Sequence, residues 1–241
     1  MLLLRLYKKI PLRYRDKINL FRHRINSNKV LLKISSGIRH KLTMRHLSRA
    51  TEPFRLRLGE SRNFEGWVST NYQVFCLHML DATKPFAVRP GANYIVIDNV
   101  IEHLPLGKGV LMLENIYDCL NPGGVLRLAT PDLYEIASMY LNPNSVEIEN
   151  FKNDFKPHGI EIRYPADLLK ATFNHFGHQT GYIYDLDILT SILTALGYIN
   201  IKNHLPGESD IPALENIESR AGLSDKWGQL CIEAMKPQLL P

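Results

Sequence analysis

The chain has 241 residues, 45% of them apolar, which suits one globular domain with appendages rather than several domains. Its three cysteines (Cys76, Cys119, Cys231) are odd in number and widely spaced, which argues against a metal site or a disulfide framework. No apolar run nears the roughly 18 residues of a membrane span, and Met1-Leu2-Leu3-Leu4 is too short for a signal-peptide core.

The net charge of +5 belongs to one end. Lys and Arg outnumber Asp and Glu by 14 to 2 over residues 1–52, and are outnumbered 15 to 22 beyond them. This basic leader interleaves apolar residues with cations, a pattern for short amphipathic helices broken at Pro11, at Asn26-Ser27-Asn28 and at Ser35-Ser36-Gly37. Such a surface suits an anionic membrane, a phosphorylated glycan carrier or, less well, nucleic acid. A solvated extension packed on the domain fits the same pattern. The expected location is cytoplasmic, and peripheral at the membrane if the leader meets lipid.

Phe54-Arg55-Leu56-Arg57-Leu58 predicts a strand running into Gly59-Glu60-Ser61, the kind of turn at which a doubly wound sheet starts a cofactor site. Gly66 to Asn71 predicts a second strand, reached too soon for a crossover helix. Cys76 to Leu80 predicts a third. Tyr94-Ile95-Val96-Ile97 has the β-branched run of a strand buried on both faces. Leu106 to Leu120 carries an apolar stripe of helical period, Asn121-Pro122-Gly123-Gly124 stops it, and Val125 to Ala129 returns as a strand. That strand–helix–strand unit implies a parallel sheet, with polar residues gathered at its carboxyl edge.

Leu133 to Leu141 predicts a helix, for which Asp132 is a good start. Residues 142–182 then break the rhythm with Asn, Pro, Gly, His and aromatics, including His158, His175 and Phe176, as an insertion at the strand ends would. Its aromatics suit stacking on sugar faces or a small satellite core. A helix capped by Asp185 and ended by Gly197 follows, then strands at Tyr198–Ile201 and Gln229–Ala234, separated by an acidic tract that includes Glu208 and Glu218.

Several segments now resemble a known family. VIEHLP (100–105), LNPGGVLRLATPDL (120–133), LDATKPF (80–86), FGHQTGYIYDLDIL (176–189), LTALGY (193–198) and CIEAMKP (231–237) resemble, in order and spacing, class I S-adenosylmethionine-dependent methyltransferases of the compact "type 11" subgroup. The match runs from Leu58 to Pro237 and leaves the leader outside. It implies an α/β fold, a Rossmann-like doubly wound seven-stranded sheet with the last strand antiparallel, here with a short first crossover and a basic N-terminal extension. The domains would then be 1–52, the extension, and 53–241, the methyltransferase domain with its insertion at about 142–182.

The resemblance implies S-adenosyl-L-methionine as cofactor and assigns roles. Gly59, Glu60 and Ser61 match the first cofactor loop, Asn71 the position that grips the ribose hydroxyls, and Asp81 the residue that receives the adenine amino group. Asp98, Asn99 and Val100 match the strand end beside the sulfonium, followed by Glu102 and His103. Two positions depart from the pattern. Ser61 stands for a glycine and Asn71 for a carboxylate; losing one charge-assisted hydrogen bond costs about 1–3 kcal/mol. Glu60 is positioned to compensate through the cofactor's amine or sulfonium.

Subgroup members are commonly met in surface-polysaccharide and glycosyl-transfer functions, which suggests O-methylation of a glycan or other small polar acceptor. A base must then remove the acceptor's proton, and His103 and His178 are the candidates. Packing under the strand end is the alternative for His103, and a structural role in the insertion the alternative for His178. Two other functions fit the sequence: an inactive methyltransferase-fold scaffold in glycan assembly, and a nucleic-acid methyltransferase.

Overall fold

A computed structural model of the chain describes residues 29–144, 146–156, 159–218 and 228–238. The leader breaks expected at Pro11 and Asn26–Asn28, and His158, lie outside the described residues.

The sheet comprises β1 (Phe54–Leu58), β2 (Val68–Asn71), β3 (His78–Met79), β4 (Ala92–Asp98), β5 (Leu120–Pro131), β6 (Ile199–His204) and β7 (Gln229–Met235). Their order is β3-β2-β1-β4-β5-β7-β6. The first five are parallel neighbours, and β7 runs antiparallel to both β5 and β6. This is the sheet that the resemblance implies. The third strand is shorter than expected, two residues instead of Cys76 to Leu80. At the other border, β6 pairs with β7 through a register shift between Ile199 and Lys202, beside a left-handed Asn200 (φ 52°).

One face of the sheet is apolar and covered by helices. Leu56, Ile95 and Leu126 lie in register, as do Leu58, Ile97 and Leu128, and all are buried. They pack under α1 (Lys29–Leu47) through Leu47, α2 (Leu106–Cys119) through Met112, Leu113 and Ile116, and, further along the sheet, α6 (Leu186–Ala195) through Leu189 and Leu193. Each such side chain contributes about 1.5–3 kcal/mol by leaving water. The α6 cap is as expected: Asp185 accepts from Ile188 N at 2.8 Å.

The helix α1 corrects the expectation of a break at Ser35-Ser36-Gly37, through which it runs without interruption. Ser35 Oγ donates to Leu31 O (2.8 Å) and Ser36 Oγ to Lys33 O (3.4 Å), so the hydroxyls are absorbed by the helix itself. Ser36, His40, Thr43 and Leu47 form its buried face beside β3. Arg39 ties it to the β2–β3 turn, donating to the carbonyls of Gln73, Val74 and Cys76. This tertiary packing overrides weak local propensity.

The opposite face is built differently. Residues 59–67 join β1 to β2 without a helix, and across that face Arg57, Val96, Arg127, Glu233 and Lys202 stand in one register row. Arg127 is fully buried. Its Nε donates to Glu218 Oε1, and its Nη1 to Glu233 Oε1 (2.7 Å) and to Glu208 O (2.7 Å). Ser209 Oγ also donates to Glu233 (2.6 Å). The acidic tract thus supplies counter-charge that fixes residues 205–218 over this face, where Leu214 joins Val96 and Val125 in a small core.

The region 142–182 carries two helices that sequence reasoning left as irregular, α4 (Val146–Phe155) and α5 (Pro165–Asn174). With α3 (Leu133–Leu141) they enclose their own core of Ile136, Met139, Ile148, Ile162 and Leu168. Asp132 starts α3 as expected, accepting from Tyr134 N at 2.9 Å. Phe151 packs at a tilt against Phe155 (4.6 Å between ring centres), and Phe155 meets Phe176 edge-on (5.5 Å). These rings therefore pack on one another.

Candidate active site at the carboxyl edge of the sheet

The candidate residues divide into two groups along the strand ends. The first surrounds the β1 turn. Gly59 is left-handed (φ 82°), and a Cβ there would lie 2.2 Å from Val100 Cγ2, so only glycine lets the β1 and β4 ends close on each other. Glu60 N donates to Thr70 O (3.0 Å), pinning the turn to β2. The Glu60 carboxylate is clasped by Arg62, whose Nη2 donates at 2.7 Å and Nε at 3.1 Å, and it lies 4.0 Å from buried Arg57. Burial pushes its pKa up, but the hydrogen bonds and charge of Arg62 outweigh this and hold it below the usual carboxylate range. Glu60 therefore faces Arg62 of its own turn and Arg57 of β1.

Asn71 has a part that sequence reasoning did not foresee. Its Nδ2 donates to Gly59 O (2.9 Å) and Ser61 Oγ (2.9 Å), and its Oδ1 accepts from Tyr72 N (2.7 Å). A carboxylate could not make the first of these bonds, because carboxylate and carbonyl oxygens are both acceptors. The two departures from the family pattern, Ser61 and Asn71, thus bond to each other. Restoring the family carboxylate by Asn71→Asp should destabilise the turn by about 1–3 kcal/mol. A thermal-shift series with S-adenosylhomocysteine should show a lower starting Tm and no gain in affinity.

Asp81 closes the β3 end. Its Oδ1 accepts from Thr83 N (3.2 Å) and Thr83 Oγ1 (2.7 Å), and Lys84 Nζ lies 3.1 Å from its Oδ2. Burial raises its pKa, but these bonds outweigh that and hold the carboxyl low. At the β4 end Asp98 Oδ1 accepts from Asn99 Nδ2 (3.0 Å). Asn99 is left-handed (φ 51°), a conformation that costs a non-glycine residue energy and so marks a fixed corner.

The second group lies just beyond. The turn Ile101–His103 follows β4, and the turn His178–Thr180 docks on it from the insertion. Glu102 is 1% exposed and accepts from Thr130 Oγ1 at 3.2 Å. The rings of His103 and His178 lie 4.9 Å apart, and one ligating atom from each of Glu102, His103 and His178 falls within 4.8 Å of the others. His178 Nδ1 is 2.7 Å from Thr172 O. A carbonyl only accepts, so this nitrogen carries a proton, and in the neutral ring the lone pair is on Nε2.

Both histidine candidates thus meet at one place, and Glu102, expected on the cofactor side, stands with them. Sequence reasoning places Thr130 among the polar residues at the carboxyl edge but misses Thr172 and the two glycines that flank His178. Gly177 and Gly181 bracket that residue in FGHQTG and were the available signal.

A seven-stranded sheet in this order, with the last strand antiparallel and polar groups at its carboxyl edge, defines a Rossmann-like fold of the class I methyltransferase type. No protein-family model matches the chain, and no curated protein sequence matches it. Solved structures similar to it include human N-acetylserotonin methyltransferase in complex with SAM, at 15% identity and a TM-score of 0.45, covering 85% of this chain and 57% of that one. A SAM-dependent methyltransferase of Thermotoga maritima matches at 12% identity and 0.43, over 84% and 96% of the two chains. Phosphoethanolamine N-methyltransferase 2 of Haemonchus contortus matches at 11% and 0.39, over 82% of this chain and 52% of that one. The chain therefore spans only about half the length of some of these proteins. Likenesses this distant say nothing of a substrate, and the fold assignment rests on the strand order itself.

Proposed function

We propose that the chain is an S-adenosylmethionine-dependent methyltransferase that methylates an oxygen of a glycan or another small polar acceptor. The observation that carries this reading is the Glu102–His103–His178 cluster, whose first two members stand four and five residues past the end of β4 at Asp98 and whose third comes from the insertion. The left-handed Gly59, Asp81 and Asp98 stand at neighbouring strand ends and fit the methionine and adenine ends of such a cofactor. When bound, the cofactor supplies an electrophilic methyl group. With it bound, the chain would hold an acceptor hydroxyl in line with that methyl group, the sulfur would keep the electron pair of the carbon–sulfur bond, and an imidazole of the His103–His178 pair would take the hydroxyl proton. Alignment of the reacting atoms and proton removal are then this chain's share of catalysis.

Calorimetric titration with S-adenosylhomocysteine tests the reading, and heat saturating at one ligand per chain is expected. The hydrogen bonds by which Asn71 closes the turn on Gly59 and Ser61 favour the runner-up, an inactive scaffold, and an absence of heat at millimolar ligand would establish it.

The helix α1 supports a second contact, with an anionic membrane. Among the described residues no helix is long and apolar enough to cross a bilayer. Yet Val30, Ile34 and Ile38 are 65–70% exposed, and with Leu42 they form a ridge four residues apart on the outer side of α1. Exposed Lys33, Lys41 and Arg45 flank them, in continuity with the basic leader. An apolar ridge bordered by cations suits the headgroup boundary of an anionic leaflet. Sedimentation with phosphatidylserine vesicles should carry the protein down at low salt, and neutral vesicles should not. Ile34→Glu with Ile38→Glu should abolish the binding; unchanged binding would assign it to the leader alone.

A further inference from the structure

We propose that Glu102, His103 and His178 bind a divalent transition-metal ion at the carboxyl edge of the sheet. The donor set is two imidazole nitrogens and one carboxylate, a combination that suits zinc, iron, manganese or cobalt and leaves coordination positions open. Ligand atoms at bond lengths of about 2.0–2.2 Å lie up to about 4.3 Å apart across an ion. The present ligand atoms lie within 4.8 Å of one another, so the side chains must draw in by at least about 0.5 Å to hold an ion.

Three features show a site that is built. First, the chain brings the donors together at the expense of side chains. A Cβ on Gly181 would lie 1.7 Å from Glu102 O, and one on left-handed Gly177 would lie 3.3 Å from His103 Nδ1. Only glycines on both sides of His178 allow its turn to settle on the Glu102–His103 turn. Second, the Thr172 carbonyl holds His178 in the tautomer whose Nε2 has the lone pair that a metal needs, the usual arrangement behind a ligating histidine. Third, Thr130 Oγ1 orients the Glu102 carboxylate, and Glu102 and His178 are both buried, so an ion there would meet few competing waters. The cysteine pattern speaks only against thiolate sites and leaves this one open.

The binding of the ion stands on these contacts alone. Its role rests on the methyltransferase reading above. An ion with open positions acidifies a coordinated hydroxyl. With an ion bound, the imidazoles would be ligands rather than the bases of the metal-free reading above, and the acidified hydroxyl would lose its proton to water instead.

The experiment uses the full, untagged chain, stripped with a chelator and titrated with Co(II) while the visible absorption is followed. Ligand-field bands saturating at one Co(II) per chain, competed away by Zn(II), are expected. Glu102→Gln and His178→Gln should each weaken binding by about 100-fold or more, given that even supporting contacts are worth 10–100-fold. His103→Gln should do the same, and serves if either of the others fails to fold by circular dichroism. The stacked pair His46–His78, whose rings lie 4.4 Å apart, is the rival site, and His46→Gln should leave the bands unchanged. Absent bands, or bands lost with His46 and retained without His178, would overturn the proposal and leave the cluster as a carboxylate–imidazolium pair. Binding of S-adenosylhomocysteine by the stripped protein is read separately, so the failure of either reading is seen on its own.

Discussion

Replacing Arg127 by methionine should cost about 3–5 kcal/mol of stability, the penalty for leaving buried carboxylates without their cation. For a chain of this length that corresponds to a fall in Tm of about 6–20 °C. Among the described residues Arg127 is the one cation that bonds both Glu218 and Glu233, and it also holds the Glu208 carbonyl. Burial lowers the pKa of this guanidinium, but the Glu218 and Glu233 bonds outweigh it and raise the pKa, so the arginine stays charged. Differential scanning calorimetry of Arg127→Met, Glu218→Gln and the double variant checks the claim. The two changes should be strongly non-additive, because each removes the same pair. A loss under 1 kcal/mol in Arg127→Met would mean that the 205–218 segment is held by Leu214 and its apolar neighbours instead.

Gly181→Ala should cut methyl transfer by about 100-fold or more while sparing the cofactor side. The added methyl would overlap the Glu102 backbone carbonyl, which cannot rotate away, so the His178 turn must lift from the strand end by more than an ångström. A displacement of that size costs about 10²-fold in rate even without loss of a functional group. The measurements are turnover of radiolabelled S-adenosylmethionine on a panel of glycan acceptors and calorimetry with S-adenosylhomocysteine. Turnover should fall by about 100-fold or more with cofactor affinity unchanged. Equal loss of both would mean that the turn supports the whole sheet edge rather than the acceptor side.

Much of this architecture is legible in the sequence because each central strand announces itself. Tyr94 to Ile97 and Val125 to Ala129 have the dense apolar runs that a doubly buried strand requires, and Asp185 and Gly197 bracket α6 by local chemistry alone. The helices α4 and α5 are short, and their apolar residues serve a satellite core, so their stripes are weak. Even so, α5 carries a signal: Pro165 begins it, and Asp167 accepts from Arg163 N (3.0 Å) and Tyr164 N (2.9 Å). The continuity of α1 was not legible, since what overrides Ser35-Ser36-Gly37 is the edge of a sheet contributed by later residues.

The site divides in the same way. That Glu102 and His103 lie at a strand end follows from position, whereas their meeting with His178 spans 75 residues and depends on two glycines fitting against backbone. Asn71 was read as a weakened ribose ligand. Its amide works instead on Gly59 and Ser61, a partnership that no spacing rule reveals. Arg127 sits without comment in the Val125–Ala129 run, and the distant acidic tract reads only as a polar segment between two strands. Each explains the other only once β5 and β7 are paired.

The irregular β6 has a bearing on how separate molecules meet. A sheet that ends in a straight strand offers a ladder of amide and carbonyl groups on which a second chain can zip and start a fibre. Here the outermost strand shifts register between Ile199 and Lys202, twists through a left-handed Asn200 and presents the Lys202 ammonium, paired to Asp210 at 2.8 Å. An incoming strand would find its hydrogen bonds out of step within a few residues and a charge pair to displace. The kink that spoils the border of this sheet therefore also keeps concentrated copies of the protein from growing into one another.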